Sequence, residues 1–344
     1  MTRLLALLLP ARRKAGGRLS LFVVPILLLV FPAPPAAEAQ QAGKVYRIGY
    51  LDQGPVRVNR RYVDGLREGL HERGWVEGRN FTMEARFAEG RTDQLSALAA
   101  DLVRLKIDLI ATTSTPAALA AKQATATIPI VIGFVADPVG SGIVASLAHP
   151  GANVTGWTHQ GVELRAKYLD LLKEAIPVVS RFGVLWNPAN PVHRPSFQNI
   201  DAAARQLKVE VHEAGVQNPN ALQPTFSALV EKGVQALVVF PDGLFLAQMD
   251  TIIALAAKHR LPTMYGLREY VDAGGLISYG TNLAEMNRQI GASFVDKILK
   301  GAKPGDLPIE QPTKFELVIN LKPAKALGLT IPQSLLLRAN QLIQ

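Results

Sequence analysis

The sequence has no cysteine. No disulfide can form, so a chain of 344 residues must hold its fold by burial alone. The usual lipoprotein signal needs a cysteine at its cleavage point, so lipid attachment there is excluded. Charge of one sign is not concentrated anywhere. The formal charge is +9, but five Lys/Arg and one Glu lie before residue 40, which leaves +5 beyond it. The basic residues are scattered among acidic ones without interleaved aromatics, which argues against nucleic-acid binding. Beyond residue 40 no apolar run approaches the roughly 20 residues that span a bilayer. The six histidines (71, 149, 159, 193, 212 and 259) never fall at metal-ligand spacing. There is no Walker loop, nucleophile elbow or His-Glu-x-x-His, and "GSG" at 140–142 lacks the spacing of a dinucleotide fingerprint. No cofactor, metal or catalytic activity is therefore expected, and His149, His159 and His193 are read as surface loop residues.

What is present begins with an export signal. Arg12, Arg13, Lys14 and Arg18 precede the run "LSLFVVPILLLVFPAPPAA", which ends in Ala37-Glu38-Ala39, a small-x-small cleavage pattern. Residues 1–39 read as a signal peptide cleaved after Ala39. The rival is an uncleaved anchor, but prolines at 25, 32, 34 and 35 shorten the clean apolar run. The remainder is about twice a typical domain length, which predicts two domains.

The chain then repeats its order of elements. Strand, helix, strand, helix, strand, helix, strand can be read from "VYRIGYL" to "IPIVIGFV" and again from "RFGVLWN" to "LPTMYGL". "IDLIATT" in the first unit matches "QALVVFP" in the second. In the second unit the last helix is read as one piece, "LFLAQMDTIIALAAKHR". Continuous apolar strands alternating with amphipathic helices predict an α/β fold of two doubly wound parallel sheets. Ligands of such sheets sit beyond the carboxyl ends of the strands, and two facing domains place those ends around one cleft. The helix after "AGGLISYGTN" is expected to return to the first domain and "IEQPTKFELVIN" to the second. The lobes are then 44–157 plus 277–307 and 158–276 plus 308–344, joined by three crossings near 156–160, 276–280 and 306–312.

The candidate site residues are the polar side chains at the strand ends. They are Asp52, Thr113, Ser114, Thr115 and Asp137 in the first unit, and Asn187, Asn190, Asp242 and Tyr265 in the second. Tyr279 joins them from a crossing segment. Thr115 fits a helix N-cap with Pro116 in the first helical position. The free amides of that turn, with the helix dipole, favour an anion, and Thr113 and Ser114 add hydroxyl donors. Asp242, at the matching place in the second unit, is the acceptor for a ligand's ammonium group. Plainer readings stand beside these: a capped helix with spare loop hydroxyls, a turn at Asp137-Pro138, local backbone bonds from the asparagines, and packing for the tyrosines.

"YRIGYL", "GLREGLHERGWVEGRN", "IDLIATTSTPAALAAKQATATIPIV", "ADPVGSGIVASLAHPGANVTG", "RFGVLWNPANP", "AGGLISYGTN" and "VDKILKGAKPGDLPIEQPTKFELVINLKPAKALGLTIPQSLLLRA" together resemble the ABC-transporter substrate-binding protein family that includes the tryptophan/tyrosine-binding lipoproteins of Gram-positive bacteria. The resemblance covers nearly all of the chain after the signal. It implies a type I periplasmic binding protein fold with a three-crossing hinge. It also implies a monomer that binds a small ligand, an amino acid or related carboxylate, and delivers it to an inner-membrane permease with its ATPase. A sensing module that presents the solute to a membrane receptor is the alternative. Two departures stand out. The missing lipoprotein cysteine implies a soluble protein in a Gram-negative periplasm. Asn287 stands where relatives often carry tyrosine, which puts the ligand preference in doubt.

Overall fold

The first sheet is laid down by short apolar strands, the first three each followed by a helix that covers one of its faces. In the computed structural model, which describes residues 44–159 and 161–344, these are β1 (Tyr46–Asp52), α1 (Val56–His71), β2 (Phe81–Phe87), α2 (Leu95–Arg104), β3 (Leu109–Thr112), α3 (Thr115–Ala124), β4 (Ile130–Val135) and β5 (Val154–Thr158). The signal segment and its cleavage point lie outside the described residues. The strands form a five-stranded, all-parallel sheet in the order β2-β1-β3-β4-β5. α2 and α3 cover one face with Leu95, Ala99, Leu102, Ala117 and Ala121, all buried. α1 covers the other with Tyr62, Val63, Leu66 and Leu70.

The chain continues through α4 (Gly161–Ala175), β6 (Arg181–Trp186), α5 (His193–Leu207), β7 (Glu210–Gly215), α6 (Leu222–Glu231), β8 (Ala236–Val239), α7 (Gly243–Ala247), α8 (Met249–Lys258), β9 (Thr263–Tyr265), α9 (Arg268–Asp272) and β10 (Ile277–Gly280). The helix expected as one piece from residue 244 is two, α7 and α8, which meet at Gln248, where φ is −105° and ψ 18°. α4 was not anticipated. Its buried Tyr168, Leu169, Leu171, Leu172 and Ala175 pack into the core of the second lobe. β10 extends the second sheet beside β9, and the chain passes back after it, at residues 281–282.

α10 (Leu283–Ile290), a π-helical turn at 291–295 and α11 (Asp296–Leu299) then pack beside α1. That approach is close enough to need glycine: a Cβ at Gly69 would lie 1.8 Å from the carbonyl oxygen of Arg288. β11 (Glu316–Asn320) returns to pair antiparallel with β10. α12 (Leu321–Leu327), α13 (Gln333–Arg338) and β12 (Gln341–Ile343) close the chain. The second sheet has seven strands in the order β12-β11-β10-β9-β8-β6-β7. The first and third passages between the sheets run side by side. The Thr158 amide donates to the Glu310 carbonyl at 3.0 Å, and the Glu310 amide to that of Gly156 at 2.9 Å.

Candidate ligand-binding site

The carboxyl ends of β1, β3 and β4 face those of β6 and β8 across a cavity with about 530 Å³ of empty space, part of it open to solvent. Six of the expected residues line it: Asp52, Thr113, Ser114, Thr115, Asn190 and Asp242. Four do not. Asn187 stands behind the wall and donates to Asp242 at 3.1 Å. Asp137 closes a turn, accepting from the Gly140 amide at 2.7 Å. Tyr265 is stacked on Tyr270 with ring centroids 4.4 Å apart and borders a separate space between α8 and α12. Tyr279 leans on Phe315 at the edge of the hinge.

The hydroxyl cluster is arranged differently from the expectation. Ser114 is the N-cap of α3, its Oγ accepting from the Ala117 amide at 3.4 Å, and Thr115 is the first helical residue. The extended backbone needed for a cap, φ −138° and ψ 149°, falls on Ser114, one place before the residue that the proline suggested. Thr115 instead accepts from the Ala136 amide at the end of β4, at 3.4 Å. Thr113 points into the lobe and donates to Asp52 Oδ2. Tyr50 OH lies 3.1 Å from the Thr113 hydroxyl.

Asp52 is buried at the end of β1, where Oδ1 accepts from the Gly54 amide at 2.7 Å and from Asn59 Nδ2. Burial pushes its carboxyl above the usual range, and the hydrogen bonds from Thr113, Gly54 and Asn59 oppose that shift. On the far side Asp242 caps α7 through the Leu244 amide at 2.9 Å. It also accepts from Asn187 and from Asn190 Nδ2 at 2.9 Å. Gln53 reaches it from the first lobe, with Nε2 at 3.4 Å from Asp242 Oδ1 and Oε1 accepting from the Gly243 amide at 3.2 Å.

Several lining residues were not singled out from the sequence. His159 and His193, expected at the surface, are buried. His193 accepts from the Asn187 amide at Nδ1, 2.9 Å, so its Nε2–H donates to the Pro241 carbonyl at 3.2 Å. Burial, followed by the opposing charge of Asp242 and the repulsion of Arg165, leaves its pKa pushed down to about 4. His159 stacks on Phe134 at 3.6 Å between ring centroids. Burial, reinforced by Arg165, holds it neutral well below the usual histidine range. Arg165, 1% exposed, rises from α4 between the rings of Tyr168 and Phe240, its Cζ 5.0 and 5.2 Å from their centroids. Its Nη1 donates to Tyr168 OH at 2.7 Å. Asn59 and Tyr62 sit on the inner face of α1. The signal for both was present: a polar side chain at the spacing of that helix's apolar stripe.

At the mouth of the cleft Tyr62 OH donates to Glu269 Oε1 of α9 at 2.6 Å, and Arg61 pairs with the same carboxylate. Arg57 Nη2 lies 3.1 Å from Asp250 of α8. Among the described residues no group of three or more His, Cys, Asp or Glu is placed to hold a metal ion, and no helix is long and apolar enough to cross a membrane.

The architecture recurs in known proteins. The chain is 29% identical over 265 residues to the tyrosine-binding protein of Clostridioides difficile, covering 77% of this chain and 76% of that one. A substrate-binding domain from Streptococcus pneumoniae solved with L-Trp superposes with a TM-score of 0.81 at 26% identity, over 87% of this chain and all of that one. The ligand-free, open structure of a substrate-binding protein from Clostridium difficile matches over the same shares at 27% identity, with a TM-score of 0.61. The fold is that of the type I periplasmic binding proteins. Residues 57–343 match the ABC transporter substrate binding protein model, and the chain belongs to that family.

Proposed function

We propose that the protein is the solute-binding component of an ABC importer. It takes an amino acid or a related carboxylate between its lobes and presents it to an inner-membrane permease driven by an ATPase. The observation that carries this reading is the charge on the cavity wall: among the described residues, the buried cation Arg165 and the buried carboxylates Asp52 and Asp242 line a single space. Walls of both signs suit a ligand of both signs. The stacked Phe134–His159 pair adds a flat, uncharged surface for the rest of the ligand.

Closure belongs to the same proposal. A ligand shifts an open–closed equilibrium only through contacts that one state makes and the other lacks. A ligand touching both lobes has such contacts. The nearer likeness to the L-Trp complex than to the ligand-free, open relative supports reading the arrangement here as the closed one. The role is binding and release without turnover. Export through residues 1–39 leaves a soluble monomer, beginning at Gln40, in the periplasm of a Gram-negative cell.

Mass spectrometry of the small molecule released when the purified protein is denatured tests the reading. An amino acid or related carboxylate, recovered intact, is expected. A ligand with no acidic group, or one chemically altered by the protein, refutes it. N-terminal sequencing of the periplasmic form checks Gln40, and full-length chain in the membrane fraction would count against cleavage.

A further inference from the structure

We propose that the cationic group of the ligand is held in the first lobe, by Asp52 and the side-chain oxygen of Asn59, and not by Asp242 in the second. The proposal rests on the amino-acid reading above and assigns the polarity of that site.

The two carboxylates differ in what surrounds them. Asp242 is satisfied by protein. Four neutral N–H donors converge on it, from Gln53, Asn187, Asn190 and the Leu244 amide. The amide oxygens of the same cluster are also spent. Asn187 Oδ1 accepts from the Ala189 amide at 3.0 Å, Asn190 Oδ1 from the Val192 amide at 3.4 Å, and Gln53 Oε1 from the Gly243 amide. The cluster is a clasp between the lobes in which each amide oxygen already has a donor.

At Asp52 one acceptor is left over. Asn59 is fully buried, with none of its surface exposed. Its Nδ2 is committed to Asp52 Oδ1, which fixes the orientation of the amide and makes Oδ1 an acceptor. Asn59 lines the cavity, and among the described residues its Oδ1 has no donor. Buried acceptors without partners are rare because they forfeit hydration for nothing. Beside it, Asp52 accepts from the Thr113 hydroxyl and from the Thr113 and Gly54 amides, and among the described residues no basic side chain is bonded to it. An ammonium group entering here meets the Asp52 carboxyl group and an unused amide oxygen together.

The polarity follows. A cation against Asp52 turns the carboxylate of an amino acid toward the second lobe, where Arg165 is the Lys or Arg on the cavity wall among the described residues. This reverses the orientation that the sequence suggests. The anion site expected at the start of α3 is already partly used, since the Ala117 amide is given to Ser114.

The test uses pairs of ligands that differ only in the amino group. Protein stripped of ligand is titrated calorimetrically with the twenty common amino acids. The tightest binder is then compared with its deamino analogue, the same acid with hydrogen in place of the amino group. Wild type is expected to prefer the amino form by roughly 10- to 100-fold, the range for hydrogen bonds to a charged group. Asn59→Leu should reduce that ratio to within a few-fold, and so should Asp52→Asn, which serves if the leucine variant fails to fold. Asp242→Asn should weaken both ligands alike and keep the ratio. Because the readout is a ratio within one variant, a general loss of stability cancels. An unchanged ratio in the Asn59 and Asp52 variants, or its collapse in Asp242→Asn, overturns the assignment. A wild type that binds none of the twenty overturns the amino-acid reading itself, a failure visible before any variant is made.

Discussion

Gly243→Ala is expected to cost affinity and not stability. Gly243 opens α7 directly across the cleft from Gln53. A Cβ placed there would lie 2.6 Å from Gln53 Cγ, 2.7 Å from its Cβ and 2.8 Å from its carbonyl carbon, where carbons meet comfortably at about 3.5–4.0 Å. The side-chain atoms can swing away, but the carbonyl carbon belongs to a turn tied down by the Gly90 amide at 2.7 Å. The lobes must therefore part at this point, and the bonds from Gln53 to Asp242 and to the Gly243 amide lengthen with them. Overpacking a tight contact costs about 1–3 kcal/mol. Here the cost falls only on the closed form, so it is read as affinity: roughly 5- to 150-fold at 1.4 kcal/mol per decade. The ligand-free protein should melt no lower than wild type, because alanine is the better helix former by up to about 1 kcal/mol. Calorimetry gives the affinity, a thermal melt the stability, and small-angle scattering with ligand a larger bound radius than wild type. Normal affinity in a compact bound form would refute the apposition of these residues on closure. An equal loss of stability without ligand would show that the contact belongs to a rigid core.

Ser114→Ala should lower stability by about 1 kcal/mol, as a lost N-cap does, and Thr115→Ala by less. Chemical denaturation of the two side by side decides it, and the reverse ranking would unseat Ser114 as the cap. Glu269→Gln leaves Arg61 and Tyr62 without their carboxylate at the cleft mouth. With Arg61 about two-fifths exposed, the discounted cost is about 1 kcal/mol of closed form, seen as a several-fold loss of affinity that shrinks in high salt; an unchanged affinity at low salt refutes it. Stability should also fall in mild acid. His193 is displaced from the ordinary 6.5 to about 4 in the folded protein, so below pH 6.5 the unfolded chain binds the extra proton. The displacement is worth about 3 kcal/mol, present in full above pH 6.5 and lost progressively toward pH 4. Urea melts across that window check it, and a midpoint flat from pH 7 to 4 would refute a buried neutral His193.

Both doubly wound units were legible because parallel strands buried on two faces are written as unbroken apolar runs such as "LIAT" and "ALVV". Such runs leave few rival readings. α4 was harder to see because its core residues Tyr168, Leu169, Leu171 and Leu172 share the helix with Arg165, Lys167 and Asp170. The split between α7 and α8 has no proline or glycine to announce it. Helix starts were ambiguous at the level of one residue wherever hydroxyls were crowded. At residues 113–115 three neighbours can each accept an amide, and only the backbone angle at Ser114 selects among them.

The polar residues of the site show where reading by position stops. Placement at a strand end brought Asp52, Thr113, Ser114, Thr115, Asn190 and Asp242 to one cavity, because in this topology the chain leaves every parallel strand on the same side of the sheet. Position says nothing about whether a side chain is free. Asp52 follows the first strand of its unit and Asp242 the third strand of the other, and position at a strand end alone gives the two carboxylates the same role. Their difference lies in partners drawn from elsewhere: asparagines three residues apart in one loop and a glutamine from the other lobe for Asp242, and Thr113 from the end of β3 with Asn59 from the first turn of α1 for Asp52. Asn187 and Asn190 spend their N–H groups on Asp242 and their oxygens on the turn. Asn59, on the cavity wall, spends its N–H group on Asp52 and has no turn to serve, so among the described residues its oxygen is left without a donor. The asymmetry between the two carboxylates is thus a matter of hydrogen-bond accounting over three segments far apart in the chain, and it becomes visible only when the fold has brought them together.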